Sequence, residues 1–579
     1  VTLENKYKQT NPVGMVMVWN YTDRIDVEGA KKPNDTESNV IINSVSLRSM
    51  STSKSKSSPA GSFELRLAPT FNWVTRITVG SWCVLLMSPE QDIPQTNNSA
   101  PGFVDPKTFK MLGRIDSVRM VVNVDQTTGA RTTEYIIQGE DWGSVFNTSL
   151  YIDVIARNNN LEKGNAVGHA ARILFDRFNK DWVTNGKGLP SATQIVAALI
   201  KLWGDPLGDI GGALAKVIPD LLFTSQSQFK LPLGVARYMG FKNKKGIPVV
   251  NMASAIHLVS GRLDGPDKYS GDPLEAFGIM DPRTVYGMHS FWQLLMDNCN
   301  PTINELIADI RFDKKGSAAM ALYNRVRPFI TRTGFKNDDV KKVTSLFKNV
   351  KKINIPAEEV ISINAGTNWR DKVNFIEVLP QPNFNQTNFE VQVKLNSQEK
   401  DLKAFERDGF KPLIEKVKYM PYADKKPIPL EAVKWKKVLR EWYFDTHNML
   451  NGAVTFIGQR EYIQVGDNIE IDSGIFGTAP FNKGQKKLLD SNNDTFLLAH
   501  VESVSHQFTV DNSGARSFFT TIQFSRGIIA DSNGDPTDSA GTAIDTSSSA
   551  LGTLAEKDTG DTISWSGESD PDKQKTRGT

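Results

Sequence analysis

Between Gly61 and Leu67 the apolar residues Phe63, Leu65 and Leu67 alternate with Ser62, Glu64 and Arg66, the period of a half-buried strand. Val79-Gly80 then opens the apolar run Trp82–Met87, a second strand. Gly113–Asp125 and Ala130–Ile137, rich in Val, Ile and Thr, flank the connection Gln-Thr-Thr-Gly129 and predict a hairpin. Near the other end, Ala499–Asp511 and Ala515–Phe524 flank Asn-Ser-Gly514 and predict another. The two hairpins are written in one pattern. Ile115-Asp116-Ser117-Val118 matches Val501-Glu502-Ser503-Val504, Val124-Asp125 matches Val510-Asp511, and Gly129-Ala130-Arg131 matches Gly514-Ala515-Arg516. Val79-Gly80 stands as far before Ile115 as Val465-Gly466 stands before Val501, and each follows a glycine-led strand, AGSFELRL or NGAVTF. A unit of at least four strands is therefore duplicated. Such a unit buries one alternating face, and it removes its edges by closing into a small barrel or by packing on a second sheet.

Between the copies the periodicity turns helical. Val167, Ala171, Leu174 and Phe178 fall on one face of 164–178, and Ser191 caps the apolar run that follows. Thr302-Ile-Asn-Glu305 has the form of a capping box and predicts a helix over ELIADIRF. Strand patterning returns at Asn374–Leu379 and Phe389–Leu395, and Ala432, Trp435, Leu439 and Trp442 recur at helical spacing. At 579 residues the chain exceeds the roughly 250–300 at which a single core stops growing. The expected division is an N-terminal polar arm and loop (1–58), a first β unit (59–155), an α-rich insertion (156–350), a mixed α/β segment placed to supply strands to the second unit (351–440), the second β unit (441–530) and a polar tail (531–579). The fold class is α+β, mainly β, with an extended or disordered tail.

Charge and chemistry remove function classes more than they add them. Lys and Arg number 68 against 65 Asp and Glu, a net charge of +3, too balanced for nucleic-acid or membrane binding as the main activity. Cys83 and Cys299 are the two cysteines, which excludes a disulfide scaffold. No apolar run reaches the roughly 20 residues that span a bilayer, so no membrane anchor is expected, and synthesis in a bacterial cytoplasm is. No HExxH, Cys-x-x-Cys or GxSxG element occurs. His500 and His506 share strand parity and form an imaginable ligand pair, outweighed by ordinary packing. Gly208-Asp-Ile-Gly211-Gly212 lacks phosphate-loop spacing. Glu140-Asp141 are adjacent on a strand and point to opposite faces, and Glu358-Glu359 are the other acidic pair. Lysines from Lys411 to Lys437 interleave with aromatics but also with acids, as on a solvated face. No catalytic, cofactor-binding or metal-ligating residue is assigned, and the chain reads as a non-enzyme.

Several strand signatures together carry a resemblance: GSFELRLAP, Val79-Gly80-Ser-Trp-Cys-Val, Leu112-Gly113-Arg-Ile-Asp-Ser-Val, Gln138-Gly139-Glu-Asp-Trp-Gly143, Trp292-Gln-Leu-Leu, Arg325-Val-Arg-Pro328-Phe329, and Ser503-Val-Ser-His506 with Ser525-Arg526-Gly527. Over residues 40–530 the chain resembles the central hub protein of contractile phage tail baseplates and, more distantly, the N-terminal part of type VI secretion spike proteins. The resemblance implies two tail-tube-like antiparallel β-barrels per subunit and a homotrimer that adapts a sixfold tube to a threefold spike. It also implies a virion location, a DNA ejection channel, and as partners a separate tail spike, a tail tube or tube-initiator protein, the tape measure and baseplate wedge proteins. The polar tail is expected to dock on a neighbouring baseplate protein with Trp565 as its anchor. The alternatives are a tail-borne cell-wall hydrolase and the hub of a phage-derived injection machine.

Overall fold

Backbone pairing dominates the computed structural model, which describes, apart from single positions and short gaps, residues 11–20, 38–89, 104–151, 231–260, 288–326, 351–380, 399–417, 439–472 and 495–531. The N-terminal part holds β1 (Val13–Asn20), β2 (Ser38–Ile42), β3 (Leu47–Ser55), β4 (Ser62–Leu67), β5 (Trp82–Ser88), β6 (Phe109–Val124), β7 (Arg131–Asp141) and β8 (Ser149–Tyr151). The middle holds β9 (Ile256–Ser260), β10 (Met288–Ser290), β11 (Asn304–Phe312) and β12 (Ala318–Val326). Then come β13 (Lys352–Ile355), β14 (Val360–Gly366), β15 (Phe375–Pro380), β16 (Glu399–Lys400) and β17 (Pro412–Val417), and last β18 (Leu450–Ile457), β19 (Asn468–Asp472), β20 (Thr495–Val510) and β21 (Arg516–Asp531). The protein is mainly β, its pairings mostly antiparallel. Among the described residues 13 strands form one sheet, ordered β14-β18-β21-β20-β3-β4-β7-β6-β5-β1-β2, with β19 on β20 and β13 on β19.

Both hairpins form, and the repeat is structural. The order β4-β7-β6-β5 in the first copy is the order β18-β21-β20-β19 in the second. The ladder slips at the same place in each hairpin, between Ile115 and Ser117 and between Val501 and Ser503. A fifth strand belongs to each copy: β3 on β4 slips between Leu47 and Ser49, and β14 on β18 slips between Val360 and Ser362. The two Val-Gly pairs are type II turns. Ser81 donates to the Thr78 carbonyl at 3.2 Å and Asp467 to that of Gln464 at 3.1 Å, with Gly80 at φ +88 and Gly466 at φ +90, where a side chain is disfavoured. Gly80 N–H then reaches the Ile115 carbonyl at 2.7 Å, and Gly466 N–H that of Val501 at 2.9 Å.

The sheet curls around two cores, and Phe508 and Phe518 of the second copy's hairpin lie in the first. Val16, Leu47, Met50, Phe63, Leu65, Cys83, Leu85, Ile115 and Ile137 meet in the first, and Ile353, Val454, Phe456, Ile469, Leu497, Val501 and Ile522 in the second. The first copy curls until β1 packs on β3, so that a Cβ on Gly14 would sit 2.8 Å from Leu47. A third cluster covers its outer side, where Met15, Met17, Trp19, Trp82, Val84 and Leu86 meet the helices Leu233–Met239 and Phe291–Asn298 and the strands β11 and β12. β1 and β5 are thus buried on both faces, which explains their unbroken apolar runs.

Two expectations need correction. Residues 1–58 are not simply an arm and loop, because β1, β2 and β3 lie within them: the run Met15–Trp19 is diluted by polar neighbours, and β3 hides Leu47 and Met50 among serines and lysines. The capping box at Thr302 does not start a helix. Asn304–Phe312 is a strand antiparallel to β12, with Leu306, Ala308 and Ile310 in the outer cluster and Ile307 in the second core. An apolar run buried on both faces carries no period by which to tell strand from helix. Of the insertion's described residues more lie in β9–β12 than in helices, and the larger part of 156–350 lies outside the described residues. The helices expected over 164–178 and 192–203 fall outside the described residues, as do the loop expected at 208–212, the strand expected at 389–395 and the tail expected from 532. No described helix is long and apolar enough to cross a membrane.

Because the two turns are equivalent, Gly80→Ala and Gly466→Ala are expected to destabilise alike, each by about 1 kcal/mol or more. Calorimetric unfolding of both variants checks this, and an unchanged melting profile for either one would remove the turn from the shared frame.

Candidate functional site

The residues weighed for chemistry are dispersed by the fold. His500 and His506 do not face one another. The slip between Val501 and Ser503 reverses parity along β20, so that Leu497, Ala499 and Val501 before it and Val504 after it share one core. His500 therefore turns away from that core to Asn468, Nδ1 to Oδ1 3.0 Å, and to Glu305, 3.5 Å from Nε2. His506 lies on the other side against Thr520 at 2.9 Å. Burial drives both imidazoles to the neutral form, His500 down to about 3 with Arg526 adding to the effect, and His506 well below its usual range. Glu358 and Glu359 sit in a 3-10 turn before β14. Of the lysine cluster the structure describes Lys411, whose Nζ lies 4.0 Å over the Trp369 ring, and Lys416 within β17. Among the described residues no group of three His, Cys, Asp or Glu could hold a metal ion.

Glu140 and Asp141 do separate. Asp141 turns inward at the end of β7, paired with Lys54 and accepting from Gly143 N–H at 2.9 Å. The Gln138–Gly143 signature is thus a packing device, for a Cβ on Gly143 would lie 1.8 Å from the Pro59 carbonyl oxygen.

What the fold does bring together is a buried polar seam where the copies meet. β3 continues past β4 to pair with β20, Ser49–Ser55 running against Ser503–Thr509. Lys54 of β3 pairs with Asp141 of the first copy, and its Nζ donates to the Pro59 carbonyl at 2.9 Å. Two residues on, Lys56 meets Glu502 of the second copy at 2.8 Å and Glu305 of β11 at 3.2 Å. Arg526 closes on Glu502 from the other side at 3.2 Å, in a left-handed conformation (φ 57) fixed by its N–H on Asn451 Oδ1 at 3.1 Å. Burial alone would raise the Glu502 carboxyl, yet the Lys56 and Arg526 cations outweigh it and hold it down at about 2. Asp309 fares differently. Burial raises it to about 6, Lys54 opposing and Asp141 adding, while it accepts from Ile310 N–H at 2.8 Å and Tyr462 O–H at 3.2 Å. Lys54 thus stands between two buried carboxyls, and burial raises Asp141 as well.

The face away from the cores is polar and runs across the junction. Thr455 and Thr521 hydroxyls meet at 2.9 Å, Thr509 and Ser517 at 2.6 Å, and Gln138 donates to Glu64 at 2.8 Å. Ser51, Ser53, Glu64, Gln138, Thr455 and Thr521 line a shallow groove on it. Neither β3 nor Asp309 stood out in the sequence. Ser525-Arg526-Gly527 did, but nothing there shows that its arginine spans to Glu502.

No family model matches the chain, and no curated protein does. Among solved structures it is similar to the tail protein from Neisseria meningitidis MC58, at 9% identity and TM-score 0.41, over 89% of this chain and 96% of that one. It is also similar to the prophage MuSo2 43 kDa tail protein from Shewanella oneidensis, at 11% and 0.39, over 89% and 98%. A third is the Francisella PdpA-VgrG complex in its half-lidded form, at 7% and 0.31, over 89% of this chain and 58% of that one. These structural neighbours are phage tail proteins and a VgrG complex.

The seam has a pH signature. Between its ordinary value and about 6 the folded chain keeps a proton on Asp309 that the unfolded chain has lost, so stability falls as pH rises through that window. Asp309→Asn removes that cost and keeps an acceptor for Tyr462. It is expected to raise stability at pH 8 by about 3 kcal/mol and at pH 4 by less than about 1 kcal/mol, measured by thermal unfolding at both. Parallel pH profiles for variant and wild type would contradict the assignment.

Proposed function

We propose that the chain is a structural component of a phage tail, a homotrimeric central hub of the baseplate that joins the tail tube to the spike. The observation that carries this reading is the duplicated five-strand unit with shared slips and turns. Three chains, each offering two equivalent units, present six similar surfaces to a sixfold tube while keeping threefold symmetry for a spike. On this reading each unit is a tail-tube-like barrel, and β9–β12 with the helices packed on the first unit face outward.

The polar face is the proposed channel wall. Its Ser, Thr and Gln side chains are bonded across strands, and Arg66 is drawn to Glu64 at 2.9 Å and Glu134 at 3.5 Å. A wall whose cations are engaged this way holds passing DNA less firmly than a bare basic stripe. The partners proposed are a separate spike protein, a tube or tube-initiator protein, and further baseplate and tape-measure proteins. A hub of a phage-derived injection machine would share this geometry. The proposed role is non-enzymatic, with His500, His506 and Asp141 engaged in packing and in the seam.

Native mass spectrometry of the full chain is expected to give three times the chain mass, and a peptidoglycan gel is expected to show no clearing. A stable single chain that clears the gel would overturn the reading in favour of a hydrolase.

A further inference from the structure

The junction between the copies is made once within the chain, and each of its two halves recurs at a place where it has no partner strand among the described residues. In the second copy the outer edge of β20 over Ser503–Thr509 is covered by β3. The equivalent stretch of the first copy, Ser117–Asn123 of β6, pairs with β7 on one side, whereas β5 stops at Arg114. Conversely, β3 lies between β4 and β20, whereas its equivalent β14 pairs with β18 alone.

Burial follows the pairing. Val504, His506 and Phe508 are buried, Phe508 completely. At the matching places in the first copy Val118 is half-buried, Met120 is 55% exposed and Val122 48%. Val124 at the end of β6 and Ile361 at the slip of β14 are exposed as well. Among the described residues the two edges therefore present apolar side chains and backbone groups without a partner strand, Arg119 being the one charge over Ser117–Asn123. Natural sheets blunt such edges with charge, proline or a cover.

We propose that the outer edge of β6 takes β14 of a second copy of this chain as its next strand, antiparallel, in the register that β20 takes with β3. The register follows from residues that face one another. Ser117 faces Gln138 as Ser503 faces Gln523, so Gln138 and Gln523 are equivalent. Glu64 faces Gln138 and Ala453 faces Gln523; Ser51 faces Glu64 and Asn364 faces Ala453. Ser51 and Asn364 therefore occupy one place, and Ser51 faces Gln507, whose counterpart is Val121. Val121 then stands opposite Asn364 of the next chain, Met120 opposite Ala365 and Val122 opposite Ile363. Val122 and Ile363 repeat the buried apolar pair Phe508 and Met50.

A second copy is the occupant because the two open edges are the complementary halves of one junction. An unrelated partner could cover either edge, but a copy covers both with a geometry the chain already adopts. The contact is head-to-tail, so repetition closes a ring or runs on as a filament. The proposal rests on the ring reading above and names the strands that make the ring.

The test is disulfide trapping in the full chain. Directly opposed positions have Cβ atoms about 4.5–5.5 Å apart, and those two residues out of register about 7–8 Å, too far for the bond. Met120→Cys with Ala365→Cys is expected to give covalent dimers and trimers under mild oxidation, several-fold more than Met120→Cys with Ile363→Cys, and none in the wild type. Both positions are exposed or half-buried, and an unchanged circular dichroism spectrum confirms that the variants fold. An assembly of the right mass that links only within one chain, or better out of register, overturns this pairing and leaves the ring standing. A single-chain mass without any link overturns both.

Discussion

A strand edge leaves a row of backbone donors and acceptors that something must meet, and in this protein β3 meets that need for two copies of one unit at once. It hydrogen-bonds to β4 on one side and to β20 on the other. Its charges follow its backbone, for Lys54 is paired to the first copy through Asp141 and Lys56 to the second through Glu502. The same strand therefore sets the register between the halves, and Lys54 within it and Lys56 just past its end supply two of the seam's cations beside Arg526. Breaking such a pair on one side strands a buried charge, which costs about 3–5 kcal/mol, so register and electrostatics hold one another in place.

Duplication explains which parts of the molecule could be read from the chain alone. What the copies share in sequence is what the backbone demands: the Val-Gly of a type II turn, the Ser at the slip, the Gly of the hairpin connection. Those residues carry the repeat, so both hairpins and their upstream strands were legible. β3 and β14 were not. Their equivalence lies in a slipped ladder and in one shared serine, Ser49 at the place of Ser362, with Met50 at that of Ile363 and Ser51 at that of Asn364. β1 and β11 failed for another reason. Each is buried on both faces by layers distant in the chain, and local periodicity then carries no information about the element. The parity of His500 and His506 was misread because a single slipped residue between them flips every later side chain to the opposite face.

The seam was illegible for a related reason. Lys54, Lys56, Asp141, Glu305, Asp309, Glu502 and Arg526 are spread over most of the chain and look like ordinary surface charges until the sheet brings them together. Glu502 and its counterpart Asp116 show how the copies have diverged within a common frame. The first is held ionised by two cations, whereas burial raises the second despite Arg114 nearby. The frame is conserved between the copies while the charges on it are not. That is the pattern expected where one copy's edge is covered within the chain and the other's is covered by a neighbour.

Backbone hydrogen exchange on the assembled protein tests this account most directly, because it reads the edge groups themselves. Amides of 117–123 and 362–366 on the outer edges should be protected to the same degree as their counterparts in 503–509 and 49–53. Rapid exchange at the first two segments beside slow exchange at the second two, in an assembly of confirmed mass, would contradict it.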